Sequence, residues 1–242
     1  MKITAAAAFL VSCMPSLGFA LIRSDWNFAR VPPDGLWDIT FPFNMAKAPH
    51  RSGFYFAQQF NFHGVKEMGY TGLQPREDKK GKSIVHAAFS SFQGGTTTDH
   101  PNCHLGADFG PGVSCAVAIA GNYSHTYKIT VRNIGGTTWR GTLIDTVTKE
   151  RDIIGEWTLP SGSGKIVNGQ MGFVEYYPWN TQRSHTCDSL PYTSAFFQHP
   201  YSRTKGAVDG RINRVYENGG CIGQVGYKVN RTSTGYNIEV GH

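Results

Sequence analysis

Nowhere in this sequence do apolar residues recur at i, i+3, i+4 and i+7 over a dozen positions, the pattern that an amphipathic helix requires. Short β-rich runs recur instead, separated by Gly, Pro and Asn. Residues 52–60 (Ser-Gly-Phe-Tyr-Phe-Ala-Gln-Gln-Phe) and 83–92 are aromatic or β-branched, and 127–132 alternates apolar with polar. Asn133-Ile134-Gly135-Gly136 then supplies turn chemistry before 137–145, which predicts a hairpin. Further strands are expected over 152–159, 171–177, 206–216, 223–229 and 236–240. Without helical crossovers a parallel α/β sheet is excluded. The expected fold is therefore all-β, an antiparallel β-sandwich of jelly-roll type.

With 40% hydrophobic and 13% aromatic residues, the 242-residue chain has enough apolar surface for a sizeable core, which excludes disorder. Its 23 basic and 17 acidic residues give a net charge of +6. Only Lys79, Lys80 and Lys82 cluster, so nucleic acid is not an expected partner. The N-terminus reads as a leader, with Met1-Lys2, an apolar run from Ile3 to Val11, a break at Pro15, and small residues at Gly18 and Ala20. Cleavage is expected after Ala20, with secretion as the destination. The apolar run is about half the length of a membrane span, and no later segment is long enough. Residues 21–50, with Pro32, Pro33, Pro42 and Pro49, read as an N-terminal arm holding one short strand near 37–41. Residues 51–242 form the single β-sandwich domain.

Loss of the leader removes Lys2 and Cys13, leaving a charge of 22 − 17 = +5 and four cysteines: Cys103, Cys115, Cys187 and Cys221. In an oxidising compartment these predict two disulfides, with three pairings open. Proximity favours Cys103–Cys115 and Cys187–Cys221. Asn122-Tyr123-Ser124 and Asn230-Arg231-Thr232 are glycosylation acceptor sequences, expected in exposed loops.

A series of short motifs runs through the middle of the chain. It comprises 68–74 (Met-Gly-Tyr-Thr-Gly-Leu-Gln), 88–92 (Ala-Phe-Ser-Ser-Phe), 110–115 (Gly-Pro-Gly-Val-Ser-Cys), the 127–131 strand, 137–145, 154–157 (Ile-Gly-Glu-Trp) and 172–177 (Gly-Phe-Val-Glu-Tyr-Tyr). Over roughly residues 53–180 this series resembles the secreted family catalogued as domain of unknown function 3472, found in bacteria and eukaryotes, fungi included. The chain departs from that pattern at Phe92, where the family often has Trp, and in its cysteine-linked loop at 103–115. The resemblance implies a β-rich secreted domain and carries over no catalytic residue.

Among single residues, Glu175 stands out. Alternation in Phe173-Val174-Glu175-Tyr176-Tyr177 sets it on one face with Phe173 and Tyr177. A carboxyl among aromatics is desolvated, so its pKa rises and it becomes fit to act as a general acid. Glycosidic chemistry needs a second carboxylate, for which Asp108, Asp145 and Glu156 are the candidates. His100 and His104 with Asp99 and Asp108 form the one His/Asp-dense segment, but Pro101 breaks any helix that would align them, so no metal site is expected. No G-x-S-x-G elbow or phosphate loop occurs, and no cofactor is implied. Tyr70 and Gln74 in a Gly-rich loop, Trp139, Tyr177 and Trp179 are candidates for stacking on sugar rings. The leading expectation is a secreted protein that binds a glycan or a host or cell-wall surface; a fungal secreted effector would belong to this class. A carbohydrate-active hydrolase using Glu175 as acid is the first alternative, and a protein-interaction module the second.

Overall fold

The computed structural model describes residues 20–108, 110–182 and 184–242. The described part is a β-sandwich built almost wholly from antiparallel pairs. The strands are β1 (Ala20–Arg30), β2 (Asp38–Asn44), β3 (Phe54–Phe60), β4 (Gly69–Pro75), β5 (Ile84–Ser91), β6 (Cys103–Ala107), β7 (Gly110–Ala120) and β8 (Thr126–Gly135). They continue as β9 (Thr138–Asp145), β10 (Arg151–Thr158), β11 (Gln170–Tyr176), β12 (Thr193–Gln198), β13 (Val208–Glu217), β14 (Lys228–Arg231) and β15 (Gly235–Val240). One sheet runs β13-β1-β11-β3-β4-β5-β7-β6, and the other β10-β9-β8-β2-β12-β15-β14. Among the described residues no helix is long and apolar enough to cross a membrane.

Period-two alternation decides what each sheet buries. From the eight-stranded sheet, Trp26, Phe56, Phe60 and Phe89 point inward. Phe41, Ile129, Trp139 and Trp157 answer from the other sheet. Phe89 stacks on Trp157 at 4.6 Å between ring centroids, and Phe62 packs on Trp139 at 4.8 Å. Aromatics of this size fill the gap of about 10 Å between stacked sheets.

Both cysteine pairs favoured by proximity are closed, Cys103–Cys115 and Cys187–Cys221. Cys103 and Cys115 are cross-strand partners on β6 and β7. A Cβ at Gly155 of β10 would lie 2.4 Å from the Cys103 sulfur, so only glycine lets the second sheet close over this disulfide. Disulfides of this kind persist in oxidising compartments.

Several expectations are corrected. Residues 21–50 are no arm: β1 lies between β13 and β11, and β2 between β8 and β12. Their apolar alternation (Leu21, Ile22, Trp26, Phe28, then Ile39, Phe41, Phe43) is buried, and the prolines only punctuate it. Pro42 sits within β2 and Pro32 in the turn that follows β1. The Gly-rich loop expected around Tyr70 and Gln74 is β4, in the middle of the eight-stranded sheet, where Gly72 has no room for a side chain against Phe56 and Ala57. The strand expected over 223–229 falls instead at Lys228–Arg231, after a turn that contains Gly223 and Gly226 in positive φ. The expected leader over 1–20 lies outside the described residues apart from Ala20, which opens β1.

Candidate functional site

The outer face of the eight-stranded sheet gathers the chemistry. Pairing registers set Phe173, Ala57, Gly72, Ala88 and Ala116 side by side across five strands. Beyond Phe173 these side chains are a methyl or less, a low row between two rows of larger side chains, with Ala57, Ala88 and Phe173 themselves buried. On one side Glu175 is the direct partner of Tyr55, and Gln74 of His86. Continuing the β3–β4 register sets Tyr55 opposite Gln74, so Glu175, Tyr55, Gln74 and His86 form one row. On the other side Gln59 pairs with Tyr70, Tyr70 with Ser90, and Ser90 with Ser114. Tyr55, Ala57, Ala88 and Phe173 make a small cluster of their own, packed against Tyr70, Met171 and Tyr177 and separate from the main core.

Glu175 is 8% exposed. Its Oε1 accepts a hydrogen bond from Asn180 Nδ2 at 2.7 Å. Desolvation by burial raises its pKa above the ordinary glutamate value, the Asn180 bond opposes the rise, and the nearby negative charge of Asp108 adds to it. Asp108 stands at the surface in the turn between β6 and β7, with its backbone in the left-handed region at φ 45°. The Tyr70 hydroxyl donates to its carboxylate at 3.2–3.3 Å. Surrounding protein desolvates that carboxyl enough to raise its pKa, while the Tyr70 bond pulls it down. The Tyr55 hydroxyl is buried without a hydrogen-bond partner among the described residues. Its pKa rises through burial first and then through Tyr70, Asp108 and Glu175. An orphaned phenol beside a carboxyl held toward its neutral form is the polar environment expected of a binding or reacting site.

Gln74 is oriented from behind. Arg76 donates to its Oε1, and the same guanidinium reaches the Tyr177 hydroxyl at 3.3 Å. A guanidinium can only donate, so the carbonyl end of the amide must face Arg76 and the NH2 end is turned away from it. Tyr177 in turn accepts from the Gly53 backbone N–H at 2.9 Å. His86, next in the row, has its pKa lowered to about 4 by desolvation and by the positive charges of Arg76 and Lys79, so its imidazole stays neutral in mild acid.

The other residues singled out in the sequence are placed elsewhere. Trp139 is fully buried in the core and Trp179 is 3% exposed, stacked on His185, so neither offers a ring face to a sugar. Asp145 is held by His125 and the backbone of Val147 and Thr148, and Glu156 by Arg140. Both belong to the other sheet, so neither is the second carboxylate for Glu175. His100 accepts from the Asn102 backbone, and among the described residues no group of three His, Cys, Asp or Glu side chains is placed to hold a metal ion. Asn122 is exposed in the β7–β8 loop, whereas Asn230 is exposed on the edge strand β14 rather than in a loop. Sequence reasoning missed Tyr55, Asn180 and the small-residue row. Gly72, Ala88 and Ala116 at alternating positions were its only trace.

No family model matches the chain, and no curated protein matches it. Among solved structures it is similar to scytalido-glutamic peptidase with a transition-state analogue inhibitor, at TM-score 0.49 and 13% identity, covering 92% of this chain and 98% of that one. A second structure of that peptidase, with a peptide-based transition-state analogue, gives TM-score 0.46 and 11% identity over the same shares. SCP-B, a member of the Eqolisin family of peptidases in complex with the tripeptide Ala-Ile-His, gives 0.45 and 10%, again over 92% and 98%. Likeness at this level decides nothing about the chemistry of the face.

Proposed function

We propose that the protein is a secreted acid hydrolase that cleaves an amide bond of an extended chain laid across the outer face of the eight-stranded sheet beside Glu175. The observation that carries this reading is Glu175, a carboxyl buried on an outward face and pushed toward its protonated form. In its ionised form Glu175 takes a proton from a water molecule as that water's oxygen bonds to the carbonyl carbon. The Gln74 NH2, fixed by Arg76, donates to the oxygen on which negative charge develops. Glu175 then passes its proton to the departing nitrogen, and the carbon–nitrogen bond breaks. Tyr55, between the two on β3, keeps a buried hydroxyl without a hydrogen-bond partner among the described residues.

An amide donor supports carbonyl addition better than glycosidic cleavage. Addition of water to a carbonyl builds an oxyanion, which N–H and O–H donors stabilise, whereas a glycosidic transition state builds positive charge on the ring. A raised carboxyl pKa shifts the working range upward from that of an ordinary glutamate.

The test is release of new α-amino groups from an acid-denatured protein by the mature chain, compared with Glu175→Gln. The variant is expected to lose at least about 100-fold in rate. Equal rates for the two proteins, or no release by either across the acid range, would overturn the proposal. Binding of neutral glycans at Tyr70 and Tyr177 without hydrolysis would return the face to sugar recognition.

A further inference from the structure

The outer face of the seven-stranded sheet holds a second groove, of about 1100 Å³, far from Glu175 and unused by the reaction above. Its floor is a row of hydroxyls, since Thr40 pairs with Thr130 and Thr130 with Thr142, and the first two hydroxyls are 2.8 Å apart. Arg132 and Arg140 are cross-strand partners on one side of this row. On the other side Arg151 pairs with Ile144, which also pairs with Lys128. Asp38 closes one end and is already committed, accepting from the Ser202 and Thr204 hydroxyls and the Arg203 backbone. Those bonds hold the 202–205 turn so that Arg203 and Lys205 join the groove.

Charge is lopsided here. Arg140 is paired with Glu156, but among the described residues Arg132, Arg151, Arg203 and Lys205 have no carboxylate partner, and all four are exposed. Trp37, half exposed at 49% with Lys165 over one ring face, and Tyr201, with Lys128 over one face, add aromatic surface at the margin.

We propose that this groove binds an acidic polysaccharide, a chain of uronic acid residues. A guanidinium fork matches a planar carboxylate, a row of threonine hydroxyls matches ring hydroxyls, and aromatic rings stack on the apolar faces of sugars. Strands lie about 4.8 Å apart, close to the length of one pyranose residue, so a chain crossing the strands spans about one residue per strand. A single-stranded nucleic acid fits less well, because its bases need a succession of aromatic platforms and the floor here is threonine. An acidic peptide would leave the hydroxyl row without its partners.

The experiment is affinity electrophoresis of the mature protein through polygalacturonate, with competition by its fully methyl-esterified form, by poly-glutamate and by single-stranded DNA. Polygalacturonate is expected to retard the protein at low ionic strength, with each competitor at least about tenfold weaker and the retardation weakening as salt is added. Arg132→Glu with Arg151→Glu should reduce binding by at least about tenfold, and Arg203→Ala with Lys205→Ala should reduce it less. All four side chains are exposed, and a thermal melt verifies folding of each variant. Glu175→Gln should bind as the wild type does, which separates this groove from the hydrolytic face. Equal binding of the methyl ester, of poly-glutamate or of DNA overturns the proposal, as does absence of retardation or full binding by both double variants.

Discussion

The outward faces of the two sheets obey the same alternation yet carry opposite chemistry. On the eight-stranded sheet the floor is alanine and glycine, the walls are aromatic, and burial pushes Glu175 toward its neutral form. On the seven-stranded sheet the floor is threonine and the walls are arginines that remain in water. Desolvation accounts for the contrast. A carboxyl ringed by tyrosine and phenylalanine loses hydration and becomes a proton donor, whereas an exposed guanidinium keeps its charge and serves only to attract. On the proposed reading, one face moves a proton and the other holds an anion.

Four experiments would break or sharpen that contrast. The largest effect is expected from a crossed pair of variants. Glu175→Gln should lower hydrolysis by at least about 100-fold while leaving polygalacturonate binding intact, and Arg132→Glu with Arg151→Glu should lower binding by at least about tenfold while leaving hydrolysis intact. Losses of both functions in either variant would mean that the faces are not independent.

Next is Gln74→Leu, which removes the amide from the row without touching Glu175. A fall of about 100-fold in kcat with little change in KM is expected if the NH2 stabilises developing charge. A rise in KM alone would reduce Gln74 to a binding contact.

Removal of the Cys103–Cys115 bridge by serine at both positions tests whether the faces share a foundation. Closing so short a loop contributes about 3 kcal/mol, which at this chain length corresponds to a fall of about 10 °C in Tm. Because the bridge packs on Gly155 of β10, both functions should decline together as the variant is warmed.

The smallest effects are in the pH dependence of stability. A carboxyl whose folded pKa is raised keeps its proton after the unfolded chain has released its own, so native stability declines as pH climbs past the unfolded value. Glu175→Gln should therefore melt higher than the wild type at pH 7, and the difference should close as pH falls through the glutamate range. His86 acts at the acid side. Its folded pKa is about 4 against 6.5 in a free chain, so stability is lost as pH falls from 6.5 toward 4, and His86→Gln should flatten that limb. Thermal melts across this range check both signs.

Much of the sandwich was legible because burial on one face writes a period of two directly into sequence. The 127–145 hairpin and the strands over 54–60, 84–91 and 170–176 are examples. β1 was missed and β2 was expected only as a short strand near 37–41, because the prolines of 21–50 read as punctuation although Pro42 sits within a strand. β4 was hidden by Gly69 and Gly72, which read as a loop because sequence does not reveal that Phe56 and Phe60 leave no space for a Cβ there. In the site, Glu175 was visible through its aromatic neighbours. Asp145 and Glu156 looked equally eligible as its partner until they fell on the other sheet.

Local alternation, turn residues and cysteine spacing by themselves determined an all-β, disulfide-braced chain and marked one unusual glutamate, because each of those signals acts between neighbours along the chain. Which strands lie side by side was settled only by tertiary pairing. Long sequence separations, such as the 120 residues between Tyr55 and Glu175, leave no trace in local pattern, yet they decide that the phenol, the amide and the carboxyl meet in one row while the arginines assemble on the opposite side of the molecule.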